Sequence, residues 1–347
     1  MRIINTALLS YGMSGRVFHA PFVQLHAGLQ LVGAWERSKQ LIQNDYPTVK
    51  SYASLEALLA DDTVELVIVN TPTNTHFEYT KMALLAGKDV VVEKAFTTTV
   101  AEAEELKVLA EKLGRKIAVF QNRRWDSDFK TVKQVIDNQL LGDITEMEIQ
   151  YARYTPALSP KLHKEIPSPG AGIVKDLGPH IIDQALCLFG MPQSVFADFR
   201  TTRANSQVED YFEILLYYKN RRVRLKAGYF MREPVPSYIV HGTKGSFLKS
   251  RADVQEGLLL KGAKPDTAIW GTEPETEQGL LHAEKDGVVV REKVPTLQGN
   301  YFEFYNKVYD ALINEKPMPV TAQDGVNVMS IIDAAFKSNN DRKVVDL

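Results

Sequence analysis

The first 121 residues alternate between short runs that are apolar throughout and longer stretches of helical periodicity. The apolar runs span residues 3–10, 29–35, 66–69, 89–93 and 116–120. A strand with one face in water alternates polar and apolar side chains; a strand apolar on both sides must be covered on both. Helical stretches over residues 16–27, 55–60, 75–86 and 100–113 lie between the runs and supply that cover. Ser54 precedes one of them as a helix cap. Gly87 and Gly114 end two others, where a left-handed residue stops a helix. This order of elements predicts a parallel sheet wrapped by helices.

The pattern changes after about residue 122. A helix over residues 126–138 ends near Gly142. Longer alternating strands follow over 211–218 and 221–230, joined by a turn at Asn220, and residues 241–245 form a second tight turn. Alternation with hairpin turns predicts an antiparallel sheet covered by helices on one face. Residues 261–278, rich in Gly, Pro and Glu, read as an exposed excursion, and helices over 300–313 and 324–336 close the chain. The expected fold class is α/β. An N-terminal Rossmann domain spans residues 1–121, and a C-terminal α+β domain with a large, mostly antiparallel open sheet spans 122–347. A sheet face left bare buries itself against another subunit, so a homodimer or homotetramer is expected.

Composition removes several function classes. The net charge over 347 residues is -2 and no long basic run occurs, so a nucleic-acid partner is not expected. No apolar stretch approaches the roughly 20 residues that span a bilayer, so no membrane is expected either. Residues 1–5 run straight into a strand and lack the tripartite pattern of a signal peptide. Cys187 is the single cysteine; in an apolar helical run it reads as a small buried hydrophobe. His19 and His163 lack ligand spacing, and no metal is expected. A reducing cytoplasm suits all of these features.

The first turn reads Ser10-Tyr11-Gly12-Met13-Ser14-Gly15, between a strand and a helix. That is the context of the dinucleotide fingerprint G-x-G-x-x-G, with Ser10 in place of the first glycine. Gly12 would let the backbone approach a pyrophosphate, and Gly15 would let the helix pack on the strand. The helix start at Met13 and Ser14 offers amides and positive dipole. A purely structural turn is the competing reading; the βαβ setting favours binding. Glu36 lies about 20 residues further on, where an acid accepts ribose hydroxyls and selects NAD. Arg37 and Ser38 could instead hold a 2′-phosphate. The cofactor expected is NAD or NADP.

Three later segments share an order with known enzymes: Asn70-Thr71-Pro72-Thr73-Asn74-Thr75-His76, Ala86-Gly87-Lys88-Asp89-Val90-Val91-Val92-Glu93-Lys94-Ala95, and Asp176-Leu177-Gly178-Pro179-His180-Ile181-Ile182-Asp183. Together they resemble the Gfo/Idh/MocA oxidoreductases over almost the whole chain. Residues 122–129 are similar to the subgroup of NADP-dependent scyllo-inositol dehydrogenases. The resemblance implies Lys94, Asp176 and His180 as the catalytic set. It implies Thr71, Pro72, Asn74 and His76 beside the nicotinamide, Glu93 by the cofactor ribose, and Asn122 on the cofactor. Arg123, Trp125 and Tyr154 would face the substrate, a sugar or polyol. Two positions depart from the pattern: Ser10 replaces a glycine, and Ala95 replaces a proline that would fix the backbone after Lys94.

The residue types suit alcohol oxidation. Imidazole titrates near neutrality, so His180 can take a hydroxyl proton. Asp176, four residues earlier, shares a face with it if the segment is helical. Lys94 ends a parallel strand, where open α/β sheets place ligands, and its ammonium could stabilise an alkoxide-like oxygen. Each has a plainer alternative: a solvated lysine, a core histidine, a helix N-cap. Arg123 and Arg124 with Asp126 and Asp128 could form a surface ion-pair set of little energetic worth. Two rival functions fit the same resemblance, an NAD-dependent glycosidase on the same scaffold and a non-catalytic sugar sensor.

Overall fold

The computed structural model describes residues 2–160, 165–233 and 235–347; His163 lies outside them. In chain order the elements begin β1 (Ile4–Leu8), α1 (Ala20–Leu25), β2 (Leu29–Trp35), α2 (Ile42–Asp45), β3 (Lys50–Tyr52), α3 (Leu55–Leu59), β4 (Leu66–Val69), α4 (His76–Leu85), β5 (Asp89–Glu93), α5 (Val100–Leu113) and β6 (Ile117–Phe120). They continue with α6 (Ser127–Asp137), β7 (Ile144–Ala152), α7 (Ile173–Asp176), α8 (Gly178–Phe189), β8 (Ser194–Arg200), β9 (Tyr211–Tyr217), β10 (Arg222–Gly228), β11 (Tyr238–Gly242) and β12 (Gly245–Lys249). The last are α9 (Gln255–Leu260), β13 (Gly279–Lys285), β14 (Val288–Val294), α10 (Phe302–Ile313), α11 (Ala322–Asp341) and β15 (Val345–Asp346).

The chain divides into two compact units. The first takes the chain up to Asn122 together with Gln255–Trp270 and Asn300–Val326; the second holds Arg123–Val254, Gly271–Gly299 and Asn327–Leu347. Two segments expected in the second domain therefore fold with the first. Aromatic packing explains one of them. On α10, Tyr305 stacks on Phe22 at 5.4 Å and Phe304 meets Phe120 edge-on at 5.0 Å. These rings finish the core of the first unit, whose strands contribute Val67, Ile68, Val90, Val91 and Val92, all fully buried.

The first unit carries a six-stranded sheet in the order β3-β2-β1-β4-β5-β6, parallel at every pairing. The order reverses between β1 and β4. Ligands of open α/β sheets bind at such a switch point, outside the carboxyl ends of the strands. Those ends lead into the glycine turn, the residue 70–76 loop and Glu93-Lys94. The predicted helix over 16–27 is not uniform: a π-helical stretch, Gly15–His19, precedes α1. Ser54 caps α3 by accepting from the Ala57 amide, and Gly114 ends α5 in the left-handed conformation.

The second unit carries a nine-stranded sheet in the order β14-β13-β12-β11-β7-β10-β9-β8-β15. β7 and β10 run parallel; every other pairing is antiparallel. Alternation is visible along β9, where Phe212, Ile214 and Leu216 are buried and their neighbours half-exposed. The hairpins at Asn220 and at residues 242–245 form as predicted. Residues 261–278 are not simply an exposed excursion. Within the first unit, buried Trp270 donates its indole N–H to Gln255 at 3.1 Å. Within the second, buried Glu273 accepts from Lys249 Nζ at 2.6 Å. Cys187 is half-buried rather than buried. Among the described residues no helix is long and apolar enough to cross a membrane.

Candidate active site

The glycine turn closes on Ser10. Its hydroxyl accepts from the Gly12 amide at 3.2 Å, and its carbonyl accepts from Asn70 Nδ2 at 2.8 Å. The serine that replaces the first glycine thus ties the turn to the end of β4. The two glycines then answer different needs. A Cβ on Gly15 would overlap the Ser10 carbonyl and lie 2.9 Å from Asn70 Nδ2. A Cβ on exposed Gly12 would meet only Ser10 Oγ, at 3.4 Å, an ordinary contact. Gly15 is therefore required by the chain's own packing, whereas the open side of Gly12 suits a ligand that approaches the backbone. The first helical bond runs from the Arg16 amide to Gly12 O at 3.0 Å. The amides of Met13, Ser14 and Gly15 precede it and have no carbonyl one turn back, which fits a pyrophosphate. Met13 itself is half exposed.

Glu93, at the end of β5, gathers the neighbouring donors. Ser14 Oγ donates to its Oε1, His19 Nε2 lies 3.0 Å from the same oxygen, and the Lys94 amide donates to Oε2 at 3.1 Å. Burial pushes the Glu93 carboxyl upward. The hydrogen bonds from His19 and Ser14, with the charges of His19 and Lys94, outweigh burial and hold it at about 2. The Lys94 side chain is half-buried, and the Lys94–Ala95 peptide is cis.

His76 differs from its expected role. It is 1% exposed, and its ring nitrogens lie 2.8 Å from the Ala95 and Thr71 carbonyls. Its ring braces the 70–76 loop against the chain after β5. In that loop the Thr71 and Thr75 hydroxyls share a 2.7 Å bond, and exposed Pro72 accepts from Thr75 Oγ1 at 2.7 Å. Asn74 is exposed and Asn122 buried. Glu36 accepts from the Ile42 amide at 3.0 Å, so one carboxylate oxygen caps α2; Arg37 and Ser38 beside it are exposed.

In the second unit Asp176 closes α7 and Gly178 opens α8, with Leu177 between them at φ −100° and ψ −29°. The backbone stays helical through the junction, so Asp176 and His180 stand one turn apart on one face. Asp176 is not an N-cap, and Pro179 occupies the first turn of α8. The His180 ring is 7% exposed, 6.3 Å from the Tyr151 ring. Burial, then the charge of Asp176, pushes the Tyr229 phenol up.

The segment 123–128 is no surface ion-pair set. Asp126 and Asp128 are fully buried. Arg123 reaches Asp126 at 3.4 Å, and Arg124 grips Asp183 on α8 with two bonds of 2.8 and 2.7 Å. Asp128 accepts from the Ala252 and Asp253 amides at 2.9 and 3.1 Å. Trp125, expected to face substrate, is 6% exposed. Tyr154 is exposed, and the Arg232 guanidinium lies 3.8 Å over its ring. The described residues include no cluster of His, Cys, Asp and Glu able to hold a metal. Sequence reasoning missed the structural parts of Ser10, Asn70, His19 and Tyr305. Only His19 had a local signal, four residues past Gly15 on a helix.

Two family models cover the chain. One, described as an oxidoreductase family NAD-binding Rossmann fold, matches residues 4–121; its companion, the C-terminal alpha/beta domain, matches residues 133–347. The chain belongs to the Gfo/Idh/MocA oxidoreductase family. Like other members it is an oxidoreductase that uses NAD or NADP. It is 36% identical to scyllo-inositol 2-dehydrogenase (NADP(+)) IolW of Bacillus subtilis, over 99% of this chain and 96% of that one. A more distant relative is the D-glucoside 3-dehydrogenase of Escherichia coli, 27% identical over 54% of this chain and 55% of its own. A solved structure from Bacteroides fragilis, described as an oxidoreductase, superposes with a TM-score of 0.92 at 44% identity, covering 100% of both chains.

Proposed function

We propose that this chain is an NADP-preferring dehydrogenase that interconverts a secondary alcohol and a ketone on a sugar or inositol-like polyol. The observation that carries the reading is the joint occurrence of the glycine turn, Lys94 at the end of β5, and Asp176 and His180 one turn apart on a helix. Bound nicotinamide supplies the hydride acceptor. Met13, Ser14 and Gly15 would hold its pyrophosphate, with Thr71, Pro72 and Asn74 toward the nicotinamide. His180 takes the proton from the substrate hydroxyl as the C–H hydride leaves, and Asp176 orients substrate or imidazole. Lys94 would supply a hydrogen bond to a substrate oxygen and stabilise negative charge that grows there. Arg123 and Tyr154 would bind remote hydroxyls. The sequence offers no dedicated carboxylate clamp, which favours a neutral polyol.

The NADP preference rests on Glu36. An acid that selects NAD must present its carboxylate to the ribose diol, but here one oxygen is taken by the Ile42 amide. Exposed Arg37 and Ser38 are then available to a 2′-phosphate. The test is nicotinamide absorbance with NADP and NAD against a panel of inositols and aldoses. Reduction of NADP by at least one of them, with a lower KM than for NAD, is the expected result. No turnover with any of them would sink the polyol reading, and an NAD preference would overturn the role given to Glu36.

A further inference from the structure

One chain of hydrogen bonds in the first unit connects three segments far apart in sequence. It begins at Ser14 in the glycine turn, passes through Glu93 at the end of β5 and His19 in the π-helical stretch, and ends at Tyr305 on α10. The His19 ring is 0% exposed and Tyr305 is 1% exposed. The Tyr305 hydroxyl donates its one proton to the Phe18 carbonyl at 2.6 Å, and its oxygen lies 2.9 Å from His19 Nδ1. Glu93 as a carboxylate can only accept: Ser14 Oγ and the Lys94 amide donate to it, and His19 Nε2 lies 3.0 Å from the oxygen that Ser14 meets. Loss of His19 or Tyr305 removes a hydrogen bond from a partner that is wholly or largely buried.

We infer that His19 and Tyr305 are positioning residues for cofactor binding. They act through Glu93, which holds Ser14 and the start of the helix in the one arrangement whose amides can meet a pyrophosphate. The inference rests on the reading of the glycine turn as the cofactor site. Both act without touching the cofactor. Their contribution is to fix the first helical turn before the ligand arrives, so that binding does not have to order it. Tyr305 is well placed for such a task. Its ring is anchored in the aromatic core by the stack on Phe22, while its hydroxyl alone faces the polar chain.

The variant Tyr305→Phe tests this, since it keeps the ring and removes one hydroxyl. Titration of the full-length protein with NADP and with NAD, followed by calorimetry, should show Kd raised about 5- to 10-fold, the effect of one buried hydrogen bond. The kcat at saturating cofactor should stay within about twofold, since the chemistry is untouched. His19→Gln should raise Kd further. The decisive comparison is a cycle with Ser14→Ala, which cuts the chain at its other end. If Tyr305 acts through Ser14, the double variant binds no more weakly than Ser14→Ala alone. A Tyr305→Phe protein whose melting temperature falls while Kd is unchanged would overturn the inference, as would losses that simply add in the double variant. If the unaltered protein binds neither NADP nor NAD, the cofactor-site reading itself fails; that outcome is read from the parent alone.

Discussion

Gly12 and Gly15 lie three residues apart in one turn, yet substitution should separate them. Gly15→Ala places a methyl group against the Ser10 carbonyl and Asn70, both backed by other contacts. It should destabilise the protein by about 1–3 kcal/mol, the usual cost of overpacking, and weaken cofactor binding as the turn shifts. Gly12→Ala meets only Ser10 Oγ. It should leave thermal stability nearly unchanged while raising the NADP Kd by at least about tenfold, because a methyl group would stand where the ligand approaches. Melting curves paired with calorimetric titrations check both. Glu93 gives a second prediction, in pH. Its folded carboxyl sits at about 2 against an ordinary 4.5, so its contribution is full above about 4.5 and disappears as pH falls toward 2. Glu93→Gln should therefore cost stability on the order of 3 kcal/mol at pH 7, measured by urea unfolding. The gap between the two proteins should narrow steadily below pH 4.5. A gap that stays constant down to pH 3 would mean the carboxylate charge is not what stabilises.

At the scale of elements, α8 carries His180 and depends on an arginine from outside the helix. Arg124 holds Asp183, which is 2% exposed in its side chain, with two short bonds. Asp183→Ala breaks this buried pair and should cost about 3–5 kcal/mol in urea unfolding. Arg124→Met combined with Asp183→Leu should recover much of that loss, since both members of the pair are then apolar. The local sequence marks an apolar helical run around Cys187, but not this pair, which joins residues 59 apart. The same division runs through the fold. Strands β2, β4 and β5 are legible because each is a continuous apolar run, and α5 because its periodicity stops at Gly114; the Thr99 cap at its start is seen only in the structure. The edge hairpin of β13 and β14 was overlooked although its turn is explicit. Asp286 and Gly287 both take positive φ, 50° and 78°, as a two-residue hairpin turn demands. The π-helical stretch had no local signal. Nor did the bond between His19 and Tyr305, which spans 286 positions of sequence. Motifs located Glu93 and His76, but only packing revealed that their side chains face other protein groups.

At the scale of the whole molecule, the second unit's sheet leaves one face to account for. The registers line up a row of side chains across it: Phe196, Leu215, Arg224, Glu148, Ile239, Leu248 and Leu280. All are half-exposed, whereas the alternate residues, such as Val223 and Leu225, are fully buried on the face that packs α8. The row is apolar at both flanks. At its centre Arg224 bonds Glu148 at 2.6 Å and Glu213 at 2.8 Å. Apolar flanks around a fixed ion-pair centre make a surface that a second copy of the same face can match about a twofold axis. Exposed pairs of this kind add little to the stability of a single chain, but their paired geometry lets the face be covered without isolating a charge. We therefore expect a homo-oligomer built on this face, measured by light scattering as a multiple of 39.0 kDa. Leu215→Glu and Ile239→Glu each place a new carboxylate near the centre of the row, on side chains already half in water. Each should reduce the mass to that of one chain with little change in the melting temperature of the isolated protomer. A parent protein that runs as a monomer at micromolar concentration would remove the face from consideration. Variants that unfold rather than dissociate would show instead that Leu215 and Ile239 serve the sheet of a single chain.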